Sequence, residues 1–182
     1  MPFAKESFIT AAKAAAASDN PTQAVRDLLA ETVRDPAPIL AAFAGVDADE
    51  ENFYEDETLS LWMSRFQPHK VLPPHDHGMS VHIAVYSGVE RNLLYRRPEA
   101  GEGLGDPIVR ETAAGELLSL GPDGIHAPTA AGDRRSEALH VYMGRLSTVD
   151  RSLFDWETGR PLPFTMEAFE SLVRAKGEVP GA

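Results

Sequence analysis

The chain has 182 residues, a quarter of them charged, and a formal net charge of −11. That length suits one domain with a real core, and the ordinary composition excludes a disordered chain. The acidic balance disfavours nucleic acid and anionic membranes, which both need a basic footprint, and the lack of any cysteine excludes disulfides, thiolate metal sites and a cysteine nucleophile.

The opening MPFAKESFIT has no basic region followed by a long apolar core, and no run approaches about 18 apolar residues. No signal peptide or transmembrane helix is expected, and a cytoplasmic location is the default. The first 45 residues read as helical. Residues 7–17 are alanine-rich. Asn20-Pro21-Thr22-Gln23 then places a cap before a proline at the first helical position. Ala24, Val25, Leu28, Leu29 and Val33 follow at helical spacing, Pro36 ends that helix, and Ile39, Leu40 and Phe43 suggest a third.

From about residue 57 the period changes to that of strands. Leu59, Leu61 and Met63 alternate with Ser60 and Ser64, and 80–86, 92–96, 108–111, 116–120 and 138–143 are further strand candidates. Turn signals separate them: Pro73-Pro74, Ser87-Gly88, Gly101 to Gly105, Gly115, Gly121 to Gly124, and Gly132-Asp133. Many short strands with regular turns indicate a sandwich or barrel. The chain ends on another helix, with Thr165 as cap and Phe164 against Phe169 as a hydrophobic staple. Met166, Phe169, Leu172 and Val173 form its apolar face, and Gly177 is expected to close it. The expected organisation is a single domain over 1–182: a helical cap (1–45), a β core (57–145) and a C-terminal extension with a helix (146–182).

All six histidines, at 69, 75, 77, 82, 126 and 140, fall in the β region. Read on a strand, His75 and His77 share a face about 7 Å apart at the backbone, and Asp76 points away. That separation lets two ring nitrogens meet one ion at about 2.0–2.2 Å each. Alone, an H-x-H fits a satisfied or exposed pair equally well. His126, after the turn Gly121-Pro122-Asp123-Gly124, adds a third imidazole. Three neutral imidazoles leave several coordination positions open, and they suit iron, zinc, nickel or copper. His82 reads as a fourth ligand or as a polar group lining the pocket, and His69 as an exposed loop residue.

Leu139-His140-Val141-Tyr142 places His140 and Tyr142 on one face of a strand. Together with His75-Asp76-His77 and Gly124-Ile125-His126, this resembles the thiol dioxygenase branch of the cupins, typified by cysteine dioxygenase. The similarity spans about residues 59 to 145. It is strongest to small bacterial proteins described as predicted metal-dependent enzymes of the double-stranded β-helix class. Those resemble this chain at Tyr86-Ser87-Gly88-Val89-Glu90-Arg91-Asn92, at His140-Val141-Tyr142, and in the flank Asp155-Trp156-Glu157-Thr158-Gly159.

The resemblance implies a mainly β cupin (jelly-roll) barrel with helical extensions at both ends. It implies Fe(II) on His75, His77 and His126, with O2 and a small thiol as reactants and a sulfinate as product. Tyr142 would stand near the bound thiolate or O2, held by His140. A homodimer is a common assembly of such proteins. The sequence departs from the pattern in several places. Ala138 stands where the family has a serine, with Ser136 a further step along that face. His82 stands where some members have a cysteine that links to the tyrosine. No arginine lies near Phe53-Tyr54-Glu55, where cysteine dioxygenases hold the substrate carboxylate. Arg65 and Arg91, with Tyr86, are the substrate-binding candidates; Arg96 and Arg97 are alternatives, and Trp62 and Phe66 read as core or pocket wall. Another metal-dependent reaction (C–C cleavage, isomerisation or hydrolysis) or a non-catalytic binding role is the alternative function.

Overall fold

The structure, a computed structural model, describes residues 3–97, 99 and 103–182. The turn signal beginning at Gly101 falls partly outside those residues. Three helices open the chain: α1 (Lys5–Ala16), α2 (Pro21–Thr32) and α3 (Ala37–Ala42). At the start of α2 the Asn20 side chain accepts the Gln23 amide N–H, as its position before Pro21 predicts.

The strands follow as β1 (Glu50–Glu55), β2 (Ser60–Phe66), β3 (Lys70–Val71), β4 (Val81–Ser87), β5 (Val89–Tyr95), β6 (Ile108–Ala113), β7 (Leu117–Leu120), β8 (Ile125–Ala130) and β9 (Ser136–Tyr142). Beyond them lie β10 (Ser152–Phe154), β11 (Pro161–Pro163), α4 (Met166–Leu172) and β12 (Arg174–Ala175). One antiparallel sheet runs β1-β2-β9-β4-β7 and a second runs β6-β5-β8. The chain leaves the first sheet at Gly88, runs out and back as β5 and β6, and returns as β7. It crosses again to β8 and comes home as β9, between β2 and β4. This path is a double-stranded β-helix, the mainly β cupin fold with helical extensions that the strand pattern and the resemblance imply. At the first crossing Gly88 has φ +72° and its α-carbon faces the Arg135 carbonyl; a Cβ there would stand 2.7 Å from that oxygen.

Register decides what each face of the first sheet does. Trp62 pairs with His140, Ile83 with His140, and Val81 with Tyr142. The alternate positions Leu61, Met63, Ala84, Tyr86, Leu139 and Val141 pack against Phe8, Val25, Leu29, Ile39 and Phe43 of the helical cap. Val81, Ile83, Val85, Ala138 and Tyr142 form a separate cluster on the inner face.

Two expectations need correction. The β region starts at Glu50 rather than near 57: β1 pairs with β2 through a bulge between Asn52 and Tyr54, which breaks the alternation that a strand shows in sequence. The last helix ends at Leu172, well before Gly177. Trp156 Nε1 donates to the Leu172 carbonyl at 2.8 Å, and Arg174 and Ala175 then pair with Val71 and Lys70. Both contacts draw the chain out of helical geometry. The cap and staple at the other end are as expected: Thr165 Oγ1 accepts the Ala168 N–H at 3.1 Å, and the Phe164 and Phe169 rings lie 5.6 Å apart.

Candidate metal centre

His75 is not on a regular strand. It forms single bridges to His126 of β8 and to Leu153 of β10, so it stitches the second sheet to the C-terminal extension. Backbone bonds run both ways between His75 and His126 at 3.0 Å. This pairing, rather than strand pleating, brings the imidazoles together. The His75 and His77 rings are 4.9 Å apart and those of His75 and His126 are 4.5 Å apart. One nitrogen from each of the three lies within 4.8 Å of the other two, and all three residues are buried.

Hydrogen bonds fix two of the tautomers. His75 Nδ1 faces the Pro73 carbonyl oxygen at 2.9 Å, an acceptor only, so the proton sits on Nδ1. His126 Nδ1 faces Asn92 Oδ1 at 2.6 Å, while the same amide's Nδ2 donates to Glu90 Oε1 at 2.8 Å. His126 therefore also carries its proton on Nδ1. Both Nε2 atoms are then bare lone pairs, yet they stand 3.2 Å apart. No hydrogen bond can join them, and two facing lone pairs repel unless a positive charge lies between. Two donors at right angles on an ion about 2.1 Å away would stand roughly 3.0 Å apart. The donor set thus fits a divalent transition ion.

Burial supports the same chemistry. It pushes the His75 pKa down to about 4 and His140 to about 3, and it holds His77 and His126 well below the ordinary imidazole value, helped by their neighbours' charge. The imidazoles stay neutral, the form that ligates. His77 Nδ1 is buried without a hydrogen-bond partner.

A cavity of about 100 Å³ opens above the three histidines. Trp62, Phe66, His140 and Tyr142 line one side, and Phe164, Met166 and Phe169 of the C-terminal extension roof it. Tyr142 Oη lies 3.2 Å from His140 Nδ1, with the two rings on adjacent inward positions of β9. Burial raises the Tyr142 pKa, so its hydroxyl stays protonated. His140 Nε2 and Trp62 Nε1 are buried without a protein partner, which suits a polar ligand in the cavity.

The cavity contains one arginine that the sequence reading did not single out. Arg151 lines it, with the guanidinium stacked on the Phe164 ring 3.6 Å from its centroid. No carboxylate forms an ion pair with it among the described residues. Partial burial lowers its pKa, with Tyr142, Glu50 and Asp76 as the anionic or ionisable groups that act on it. Asp76 anchors the segment: Ser152 N–H donates to Asp76 Oδ1 at 2.8 Å, and Asp76 N–H donates to the Ser152 carbonyl at 3.1 Å. Gly78 (φ +63°) lets the backbone approach, since a Cβ there would stand 2.6 Å from the Asp150 carbonyl oxygen. Arg151 follows no motif in sequence; only these long-range bonds bring it to the histidines.

The earlier substrate-binding candidates lie elsewhere. Arg65 is buried on the cap side, donating to Glu137 at 2.8 Å, to the Phe43 carbonyl at 2.9 Å and to the carbonyls of Val46 and Ala48. Tyr86 is in the cap-side core, 3.4 Å from Glu137. Arg91 pairs with Glu111 across β5 and β6. Arg97 pairs with Asp76 at 2.5 Å. His82 is not a fourth ligand: it is opposite Val141, on the face that meets the helices, with Nδ1 2.8 Å from Ser119 Oγ, which also accepts from Arg26. His69 is exposed in a turn. No helix among the described residues is long and apolar enough to cross a membrane.

No family model matches the sequence, and no curated protein matches it. Several solved structures are similar. One is the DMSP lyase DddQ from Ruegeria pomeroyi, at 19% identity over 54% of this chain and 44% of that one, with a TM-score of 0.43. The match spans less than half of the lyase. An uncharacterised double-stranded β-helix protein from Klebsiella pneumoniae aligns at 16% identity over 60% and 87% of the two chains, with a TM-score of 0.45. Bacillus subtilis oxalate decarboxylase aligns at 16% over 49% and 22%, with a TM-score of 0.41.

Proposed function

We propose that the chain is a mononuclear non-haem iron dioxygenase that oxidises a small, negatively charged thiol to its sulfinate. The observation that carries this reading is the pair of bare Nε2 lone pairs 3.2 Å apart at the floor of a cavity whose wall holds Tyr142 and an arginine without a carboxylate partner. His75, His77 and His126 would hold the ion. Iron(II) on three neutral ligands would keep its charge, which would favour a thiol as thiolate, and it would supply the redox chemistry that couples the thiolate to O2. The overall change is balanced: thiolate plus O2 gives sulfinate, both oxygen atoms pass to sulfur, and sulfur loses the four electrons that O2 gains.

The chain's own residues orient and exclude. Arg151, flat on Phe164, offers two parallel N–H groups to a carboxylate or similar anion on the substrate. It takes the place of the arginine missing near Phe53-Tyr54-Glu55. Glu50 and Asp76 act on its guanidinium from a distance, and an anionic group on the substrate would add a direct partner to that partly buried charge. The Tyr142 hydroxyl remains a donor, with His140 fixing its direction and one further hydrogen bond left for the ligand. Phe164, Met166 and Phe169 keep water from the reacting sulfur.

The test is metal analysis and oxygen uptake on protein purified without an affinity-metal step. The expected result is near-stoichiometric iron and O2 consumption with a short mercaptocarboxylate such as 3-mercaptopropionate. Arg151→Gln should raise KM for that thiol about 10-fold or more while changing little for 2-mercaptoethanol. Bound zinc or nickel with no oxygen uptake for any thiol after anaerobic iron loading would sink the dioxygenase reading.

A further inference from the structure

His126 is held differently from the other two histidines. His75 rests on a backbone carbonyl, and His77 Nδ1 has no partner. His126 instead ends a chain of buried side chains. Glu90 and Asn92 are two apart on β5, so both point inward, and both are fully buried. Asn92 lies opposite Pro128 on β8 and its amide spans the gap, with Nδ2 to Glu90 Oε1 at 2.8 Å and Oδ1 to His126 Nδ1 at 2.6 Å.

An amide has a donor end and an acceptor end, and nothing in Asn92 itself decides which faces the histidine. Glu90 decides it. Facing Asn92, the ionised carboxylate can only accept, so in that form it takes Nδ2 and turns Oδ1 toward His126. Reversing the amide would set its oxygen against a carboxylate oxygen in a buried site, at high cost. The polarity of the chain thereby dictates a proton on Nδ1 and a free lone pair on Nε2.

From this geometry we infer that Glu90 and Asn92 are positioning residues that set His126 in its metal-binding tautomer, and that metal affinity depends on them although neither touches the ion. The inference concerns metal binding alone, so it stands or falls apart from the choice of substrate and reaction. Partners of this kind behind a metal-bound histidine change affinity by roughly 10–100-fold.

The experiment has two readouts. Zinc affinity is measured by chelator competition, and the tautomer of His126 by long-range nitrogen-15 NMR of the zinc-loaded, diamagnetic protein. In the wild type His126 is expected to bind zinc through Nε2 with its proton on Nδ1. Asn92→Leu should weaken zinc binding about 10–100-fold, and Asn92→Asp, which keeps an acceptor beside His126, should recover most of it. Glu90→Gln keeps the shape but allows either polarity; mixed tautomers in the metal-free protein and an intermediate affinity are expected. Should Asn92→Leu fail to fold, the wild-type tautomer and Glu90→Gln still decide. Zinc on Nδ1 of His126 in the wild type, or wild-type affinity in both Asn92→Leu and Glu90→Gln, would overturn the inference.

Discussion

On β9, Leu139 and Val141 turn toward the helical cap while Ala138, His140 and Tyr142 turn toward the cavity. One strand thus serves two surfaces with opposite demands. The cap side is an apolar seal with one buried ion pair, Arg65 with Glu137, whose remaining donors are spent on backbone carbonyls. Among the described residues, the cavity side leaves polar atoms without protein partners and an arginine in no ion pair with a carboxylate. The contrast teaches where to look for function in a β-sheet: most polar groups on the cap side are paired within the protein, His82 Nε2 excepted, whereas His140 Nε2, Trp62 Nε1 and Arg151 converge on one cavity.

The largest expected effects separate the two faces. His126→Ala should abolish stoichiometric metal binding, read by mass spectrometry, while unfolding stability of the metal-free protein changes by no more than about 2 kcal/mol. Arg65→Ala should do the reverse. Breaking a buried ion pair leaves Glu137 only the half-exposed Arg135 and the Tyr86 hydroxyl, and frees three carbonyls, at a cost of roughly 3 kcal/mol in denaturant unfolding. The variant that still folds should bind metal as the wild type does. Metal loss in Arg65→Ala without loss of stability would erase the distinction.

Much of this division was open to sequence reading, and its limits are physical. The three helices and the β core follow from periodicity and turn chemistry, His75 and His77 as a pair follow from their spacing, and His126 joins them through the family resemblance; the structure brings all three together. The face that each strand residue occupies does not follow in this way. Residues 81–86 read Val-His-Ile-Ala-Val-Tyr, apolar on both parities except for His82, so alternation cannot choose which set faces inward. His82 was therefore open as a ligand until its pairing with Val141 placed it against the cap. Arg151 was invisible for a different reason: the Asp76–Ser152 bonds that bring it to His77 join residues 76 apart in sequence.

A smaller effect tests the cavity side alone. Tyr142→Phe removes one hydroxyl and leaves the ring, so metal content should stay at the wild-type level. Turnover with an accepted thiol should drop about 10–100-fold if the hydroxyl acts on the reacting centre. Unchanged turnover would reduce Tyr142 to a wall residue.

Acid should weaken the cavity side first. In the unfolded chain the histidines titrate near 6.5, and in the folded metal-free protein burial holds His75 down to about 4 and His140 to about 3. Between those values the unfolded chain binds more protons, so stability is full above about pH 6.5 and falls as the pH drops toward 4. From pH 6.5 to 5 each buried histidine contributes a loss on the order of 2 kcal/mol. Glu90 has the opposite sign. Burial pushes it up to about 7, so its folded form keeps a proton that the unfolded chain has lost, and its penalty eases as pH falls toward 4.5. Glu90→Gln should therefore steepen the acid loss seen by denaturant unfolding. An unchanged slope would mean that the carboxyl is less isolated from water than its burial indicates.

The smallest expected effect is at His82. Its Nδ1 meets Ser119 Oγ, which Arg26 of α2 also reaches, so it helps tie the cap to β4 and β7. His82→Gln can keep a hydrogen bond to the serine, and it removes no group from the cavity. The loss expected is about 1 kcal/mol, the worth of one hydrogen bond, with metal content and turnover unchanged. The substitution nonetheless tests the register most directly. A one-residue slip of β4 against β9 would turn every side chain of β4 over, bringing His82 into the cavity beside His77 and sending Ile83 to the helices. Metal loss in His82→Gln would mean that β4 sits in that other register, and the assignment of faces on the whole first sheet would have to be reversed.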